Sequence, residues 1–136
     1  MVERPQLIEQ ARVARASGRL DEAADCYAQA VALSRLRGDE VDLAYDLRHL
    51  GDVRLDAGEL AAAEPVLDEA LQLYRARAGV GALELANAIR PLAMVRARLG
   101  GDARALLDEA IALYGEAGIA AGVRELSKAR DGIAPG

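Results

Sequence analysis

His49 and Cys26 are the single imidazole and the single thiol in this chain of 136 residues. A structural zinc site needs about four ligands of these kinds, so no metal centre is expected. A nucleophilic triad would have to join Ser17, Ser34 or Ser127 to His49 and a carboxylate, and no spacing favours that meeting. Asp68-Glu69 and Asp108-Glu109 are adjacent pairs on exposed helix faces and read as solvated surface. Gly100-Gly101-Asp102 follows a helical segment rather than a strand and lacks the Gly-Lys-Ser/Thr ending of a phosphate loop. Cys26 reads as a small buried hydrophobe. The expectation is a protein with no catalytic residue, no metal, no cofactor and no enzyme activity.

Residues suited to recognition are better placed. Tyr45, Arg48-His49, Asp52 and Asp56 recur at steps of three and four, which puts them on one face of a helix. Matching positions some forty residues away hold Asn87, Arg90, Pro91, Met94 and Arg98, and earlier Pro5, Ile8, Glu9, Arg12 and Ala16. Although the chain is acidic, these positions collect Arg12, Arg48, Arg90 and Arg98. Guanidinium groups take carboxylates in a two-pronged grip, so an acidic segment or a free C-terminal carboxylate is a sensible ligand. The opposing expectation is internal neutralisation, with Arg48 pairing Asp52 along the helix and Arg12 and Arg98 pairing Asp52 and Asp56 across it. His49 is either a solvated groove histidine or a pH-sensitive contact. Pro91 lacks an N–H, which frees the carbonyl of Asn87 and predicts a kink.

The elements that must carry this face are helices throughout, because apolar residues recur at helical spacing and no segment alternates with period two. Gly18, Gly38, Gly58, Gly79/Gly81, Gly100-Gly101 and Gly115/Gly118 fall about twenty residues apart, as helix-ending caps do. They delimit seven predicted helices near 4–17, 20–37, 40–57, 60–77, 83–99, 102–115 and 119–131.

These helices pair and the pairs repeat. Leu67-Asp68-Glu69-Ala70-Leu71-Gln72-Leu73-Tyr74 returns forty residues later as Leu107-Asp108-Glu109-Ala110-Ile111-Ala112-Leu113-Tyr114. Leu47-x-x-Leu50-Gly51-x-x-Arg54 with Ala63, Leu67 and Ala70 matches Ile89-x-x-Leu92-Ala93-x-x-Arg96 with Ala103, Leu107 and Ala110. Leu7, Gln10-Ala11, Ala14, Gly18, Ala23, Tyr27 and Ala30 form the earlier copy. The pattern resembles the tetratricopeptide repeat family, in a long-helix variant with a period of 40–42 residues instead of the usual 34 or so. Arg54 and Arg96 replace the usual aromatic residue, and a long aliphatic stem can fill that space. The resemblance implies an all-α, right-handed superhelical α-solenoid of three antiparallel helix pairs in one domain over 1–136. Its repeats fall near 4–38, 40–78 and 83–116, with a capping helix near 119–131 carrying Ile119, Val123, Leu126 and Ile133.

Such repeats line a concave groove with their first helices, so the resemblance implies a protein-binding scaffold. The groove candidates are Arg12, Tyr45, Arg48, His49, Asp52, Asn87, Arg90, Met94 and Arg98. The Lys and Asn of the carboxylate clamp known in the family are not reproduced. The alternative is a structural repeat protein that self-associates through an exposed end face. Composition narrows the partner further. A net charge of −5 argues against a nucleic-acid binder. No apolar run reaches the roughly 18 residues of a membrane span, and Met1-Val2-Glu3-Arg4-Pro5-Gln6 enters a helix without a signal sequence. The expectation is a cytoplasmic protein, monomeric or weakly homo-oligomeric, with a protein or peptide partner.

Overall fold

The structure, a computed structural model, describes residues 2–133. It holds seven helices and no strand among them: α1 (Arg4–Ala16), α2 (Leu20–Arg37), α3 (Glu40–Asp56), α4 (Leu60–Ala76), α5 (Ala82–Arg98), α6 (Arg104–Glu116) and α7 (Ala120–Asp131). Their bounds lie within two residues of the predicted ones. The punctuation arises as the glycines suggest. Gly38 ends α2 at φ 68°, where its N–H donates to the Arg35 carbonyl and Asp39 N–H reaches back to Ser34. Asp39 then starts α3 by accepting from the N–H of Asp42 at 3.0 Å. Among the described residues no helix is long and apolar enough to cross a membrane.

Successive helices pack on one another, as in an α-solenoid: α1 on α2, α2 on α3, α5 on α6 and α6 on α7. The chain forms two compact units, Met1–Leu73 and Tyr74–Gly136, whose boundary falls inside α4. In the first unit Ala11, Ala14, Ala23, Cys26, Tyr27, Val31, Leu43, Leu47, Leu50, Val53 and Ala70 make the core. Small residues set its depth. A Cβ added to Gly51 would collide with the Leu67 side chain, so only glycine lets Leu67 seat there. Arg54 is half-buried and donates to the Ala62 carbonyl at 3.5 Å, tying α3 to the start of α4.

One polar group interrupts this core. Asp46 is fully buried and accepts two hydrogen bonds from Arg4, at 2.9 and 2.7 Å, and one from the Ser34 hydroxyl at 2.7 Å. Asp46 lies three residues after Leu43 and four before Leu50, on the apolar stripe itself. A carboxylate there is tolerated because the guanidinium and hydroxyl replace its hydration.

In the second unit Ile89, Leu92, Ala93, Val95, Ala103, Leu107, Ala110, Tyr114 and Leu126 are buried. The α7 helix presses Leu126 into that core and Gly122 against the Tyr114 ring, where a Cβ would come within 2.7 Å. Val123 and Ile133 are half-buried beside it. The α5 helix continues through Pro91, which is buried within it. Each unit also carries one copy of the same surface clasp. Arg35 grips Glu69 with two bonds of 2.7 and 2.5 Å, and Arg75 grips Glu109 with two of 2.7 Å, each pair spanning 34 residues.

Candidate functional site

The first unit opens a cleft between α1 and α3. Two cavities of about 520 and 450 Å³ share Glu9, Arg12 and Tyr45 in their walls. The larger adds Val13, Arg15, Ala16, Tyr27 and His49; the smaller adds Arg4, Pro5, Ile8, Val41 and Asp42. Helical spacing explains the assembly: Glu9, Arg12 and Ala16 fall on one side of α1, and Tyr45 and His49 one turn apart on α3.

Aromatic rings make the inner wall. His49 stacks on Tyr27 with ring centroids 5.4 Å apart and planes 17° apart, and meets the tilted Tyr45 ring at 4.2 Å. The guanidinium groups of Arg4 and Arg48 lie 5.7 and 5.8 Å from the Tyr45 centroid. Arg48 approaches His49 Nε2 at 3.1 Å. A guanidinium can only donate, so Nε2 accepts and the ring proton sits on Nδ1, which is buried with no hydrogen-bond partner among the described residues. Burial, reinforced by Arg48, Arg15 and Arg12, pushes the imidazole down to about 3. His49 is therefore neutral near pH 7. It is a half-buried part of the wall, neither a solvated histidine nor a switch working in the physiological range.

The cations around the cleft differ in how fully they are engaged. Arg15 donates to Asp56 at 2.8 Å and lies 3.9 Å from Asp52. This is the cross-helix pairing expected of Arg12, made instead by the neighbour three residues on. Arg12 stands 3.6 Å from Glu9, with both side chains about two-thirds exposed. Arg48 gives its closest bond to a neutral imidazole rather than to a carboxylate. Asp52 is half-buried beside Arg15.

The second unit presents Asn87, Arg90, Met94 and Arg98 on α5. Asn87 accepts from the Tyr114 hydroxyl at 2.6 Å, so its side chain ties α5 to α6. Arg90 grips Glu125 of α7 with bonds of 2.5 and 2.9 Å, holding that carboxylate below its usual range. Met94 and Arg98 line a separate cavity of about 600 Å³ with Lys128, Ile133 and the turn at Gly100-Gly101-Asp102. Arg98 and Lys128 both sit near helix C-termini, where cations offset the helix dipoles. Among the described residues no group of three His, Cys, Asp or Glu side chains is arranged to hold a metal. The Cys26 thiol is buried and pushed up by that burial, away from the reactive thiolate.

Of the residues expected on this face, Arg12, Tyr45 and His49 line the cleft, Arg48 lies against Tyr45 and His49, and Asp52 sits beside Arg15. Tyr27 and Arg15, which also line it, were not among them. Tyr27 aligns with Leu67 and Leu107 as a core residue, and the only signal of a further role was its larger ring. Arg15 aligns with an apolar residue, Leu55, which concealed it.

A family model described as tetratricopeptide repeat matches residues 6–76, more than half of the chain. No curated protein matches the chain closely enough to be counted as a relative.

Proposed function

The chain belongs to the tetratricopeptide repeat family, and we propose that it is a noncatalytic interaction module whose α1/α3 cleft holds an extended peptide or partner segment carrying carboxylates. The family's general role in protein–protein interaction and scaffolding supplies the frame. The observation that supports the cleft is the pairing state of its cations. Arg4 and Arg15 are committed to Asp46 and Asp56, whereas among the described residues Arg12 has only a long, exposed contact with Glu9, and Arg48 faces neutral His49. Surface contacts of the Arg12–Glu9 kind are worth at most about 1 kcal/mol, so an incoming carboxylate displaces them at little cost. The Tyr45 ring, with His49 tilted against it and buried Tyr27 stacked behind, offers an aromatic surface for a side chain next to that carboxylate.

In the second unit Arg90 reaches a ligand only by releasing Glu125, while Met94 and Arg98 border open space. Arg12 and Arg48 are therefore the residues to test first. Peptides selected from a display library are expected to be enriched in Asp and Glu around an aromatic or aliphatic residue. Calorimetry should show Arg12→Ala with Arg48→Ala losing at least about tenfold in affinity, equivalent to about 1.4 kcal/mol. Selected peptides that bind the double variant as tightly as the parent would remove the cleft from consideration.

A further inference from the structure

The repeat register identifies which side of a second helix receives its neighbour. On α4, Glu69 takes the Arg35 guanidinium of α2, and Leu73 packs against the cluster that includes Cys26, Tyr27 and Val31. Forty residues earlier the same positions on α2 are Gln29 and Leu33. No helix precedes α1 among the described residues. This side of α2 carries a cavity of about 390 Å³ bounded by Val2, Leu7, Gln29, Ala32, Leu33 and Leu36. Leu36 is 86% exposed and Val2 47%, and none of the six residues is charged. A leucine so exposed beside an apolar hollow is a knob next to a hole.

We propose that this surface is a two-fold contact between two copies of the chain, with Leu36 of each copy entering the hollow on the other. Two observations select a second copy over a further repeat. A neighbouring repeat of the kind seen here would present an arginine in the manner of Arg35 and Arg75. The carboxylate that grips it with both oxygens, Glu69 or Glu109, is replaced by the uncharged Gln29, whose amide has one acceptor oxygen. A two-fold contact has the opposite requirement, because each face meets itself and a glutamate near the axis would oppose its own copy. The ends of α2 suit the same arrangement. Its first turn holds Asp21 and Glu22, with Glu22 paired to Arg19, and its last turn holds Arg37, so antiparallel α2 helices bring Asp21 of one towards Arg37 of the other. None of the six residues lines the α1/α3 cleft, so the contact leaves that cleft open.

Sedimentation equilibrium tests this on the whole chain, from roughly 1 µM to 1 mM. The expected mass rises from 14.4 kDa towards twice that value with concentration. Leu36→Glu should hold it at 14.4 kDa throughout, with an unchanged circular-dichroism melt, since the exposed side chain carries little folding energy. Gln29→Glu should weaken association about tenfold or more, through like charges meeting at the axis. Leu99→Glu, at a residue 47% exposed elsewhere, should associate like the parent. A single mass of 14.4 kDa at every concentration, or association that persists in Leu36→Glu, would overturn the proposal.

Discussion

At the repeat position held by Ser34 in the first unit, the second unit has Tyr114, and the surroundings change with it. Ser34 reaches a buried carboxylate, Asp46, which in turn requires the Arg4 guanidinium. Tyr114 fills its space with a ring and satisfies its hydroxyl on Asn87, while the residue aligned with Asp46 is the buried Ala88. The same backbone pattern thus accommodates an ionic contact in one unit and an aromatic one in the other. The ionic version depends on every partner, because a buried charge left alone has neither water nor a counter-ion. The aromatic version is tolerant, since most of its stabilisation comes from non-directional burial.

The sharpest way to break that contrast is Arg4→Met. It leaves Asp46 buried without its cation and should cost about 3 kcal/mol or more in urea denaturation. Adding Asp46→Leu and Ser34→Ala to it should recover most of the loss, because apolar replacement of the whole group removes the stranded charge. Equal destabilisation by the single and triple variants would show that the cost is steric and not ionic.

Acid should separate the units next. His49 is pushed down to about 3 from 6.5, so as pH falls the unfolded chain takes up this proton before the folded one. Stability from this source is complete above about 6.5 and drains away as pH falls towards 3. The second unit has no histidine, and its paired Glu109 and Glu125 are held below the ordinary 4.5, so its own losses begin only as pH falls below that value. Hydrogen exchange should therefore show α1–α3 amides losing protection between pH 6.5 and 4.5 while α5–α7 amides hold, and His49→Phe should remove the difference. The smallest effect is expected at the aromatic contact. Tyr114→Phe loses the hydrogen bond to Asn87 and should cost about 1 kcal/mol in the same denaturation assay, well short of Arg4→Met.

Much of this architecture is visible in the residues themselves. Glycines at the helix ends and the repeated small positions at Gly51, Ala63, Ala93 and Ala103 locate every helix to within a turn. The face carrying Tyr45, Arg48 and His49 is legible for the same reason, since helical spacing alone assigns it. What spacing does not carry is which charges meet. Arg15 and Arg12 are three residues apart on one helix, and side-chain reach across to α3 decides that Arg15 takes Asp56. Asp46 was hidden differently. Aligning repeats averages away a residue that departs from its counterpart, and the clue was a carboxylate sitting between Leu43 and Leu50 on the apolar stripe. The environment of His49 is not readable from spacing, because the two tyrosine rings that meet it come from α2 and α3.

The single histidine also provides the most direct test of the binding proposal. Its ring resonances can be followed by nuclear magnetic resonance during titration with an acidic peptide that carries one aromatic residue. Occupation of the α1/α3 cleft should shift the His49 and Tyr45 ring signals along a curve with the affinity found by calorimetry. Saturable binding of that peptide with both rings unmoved would contradict it and place the partner elsewhere on the protein.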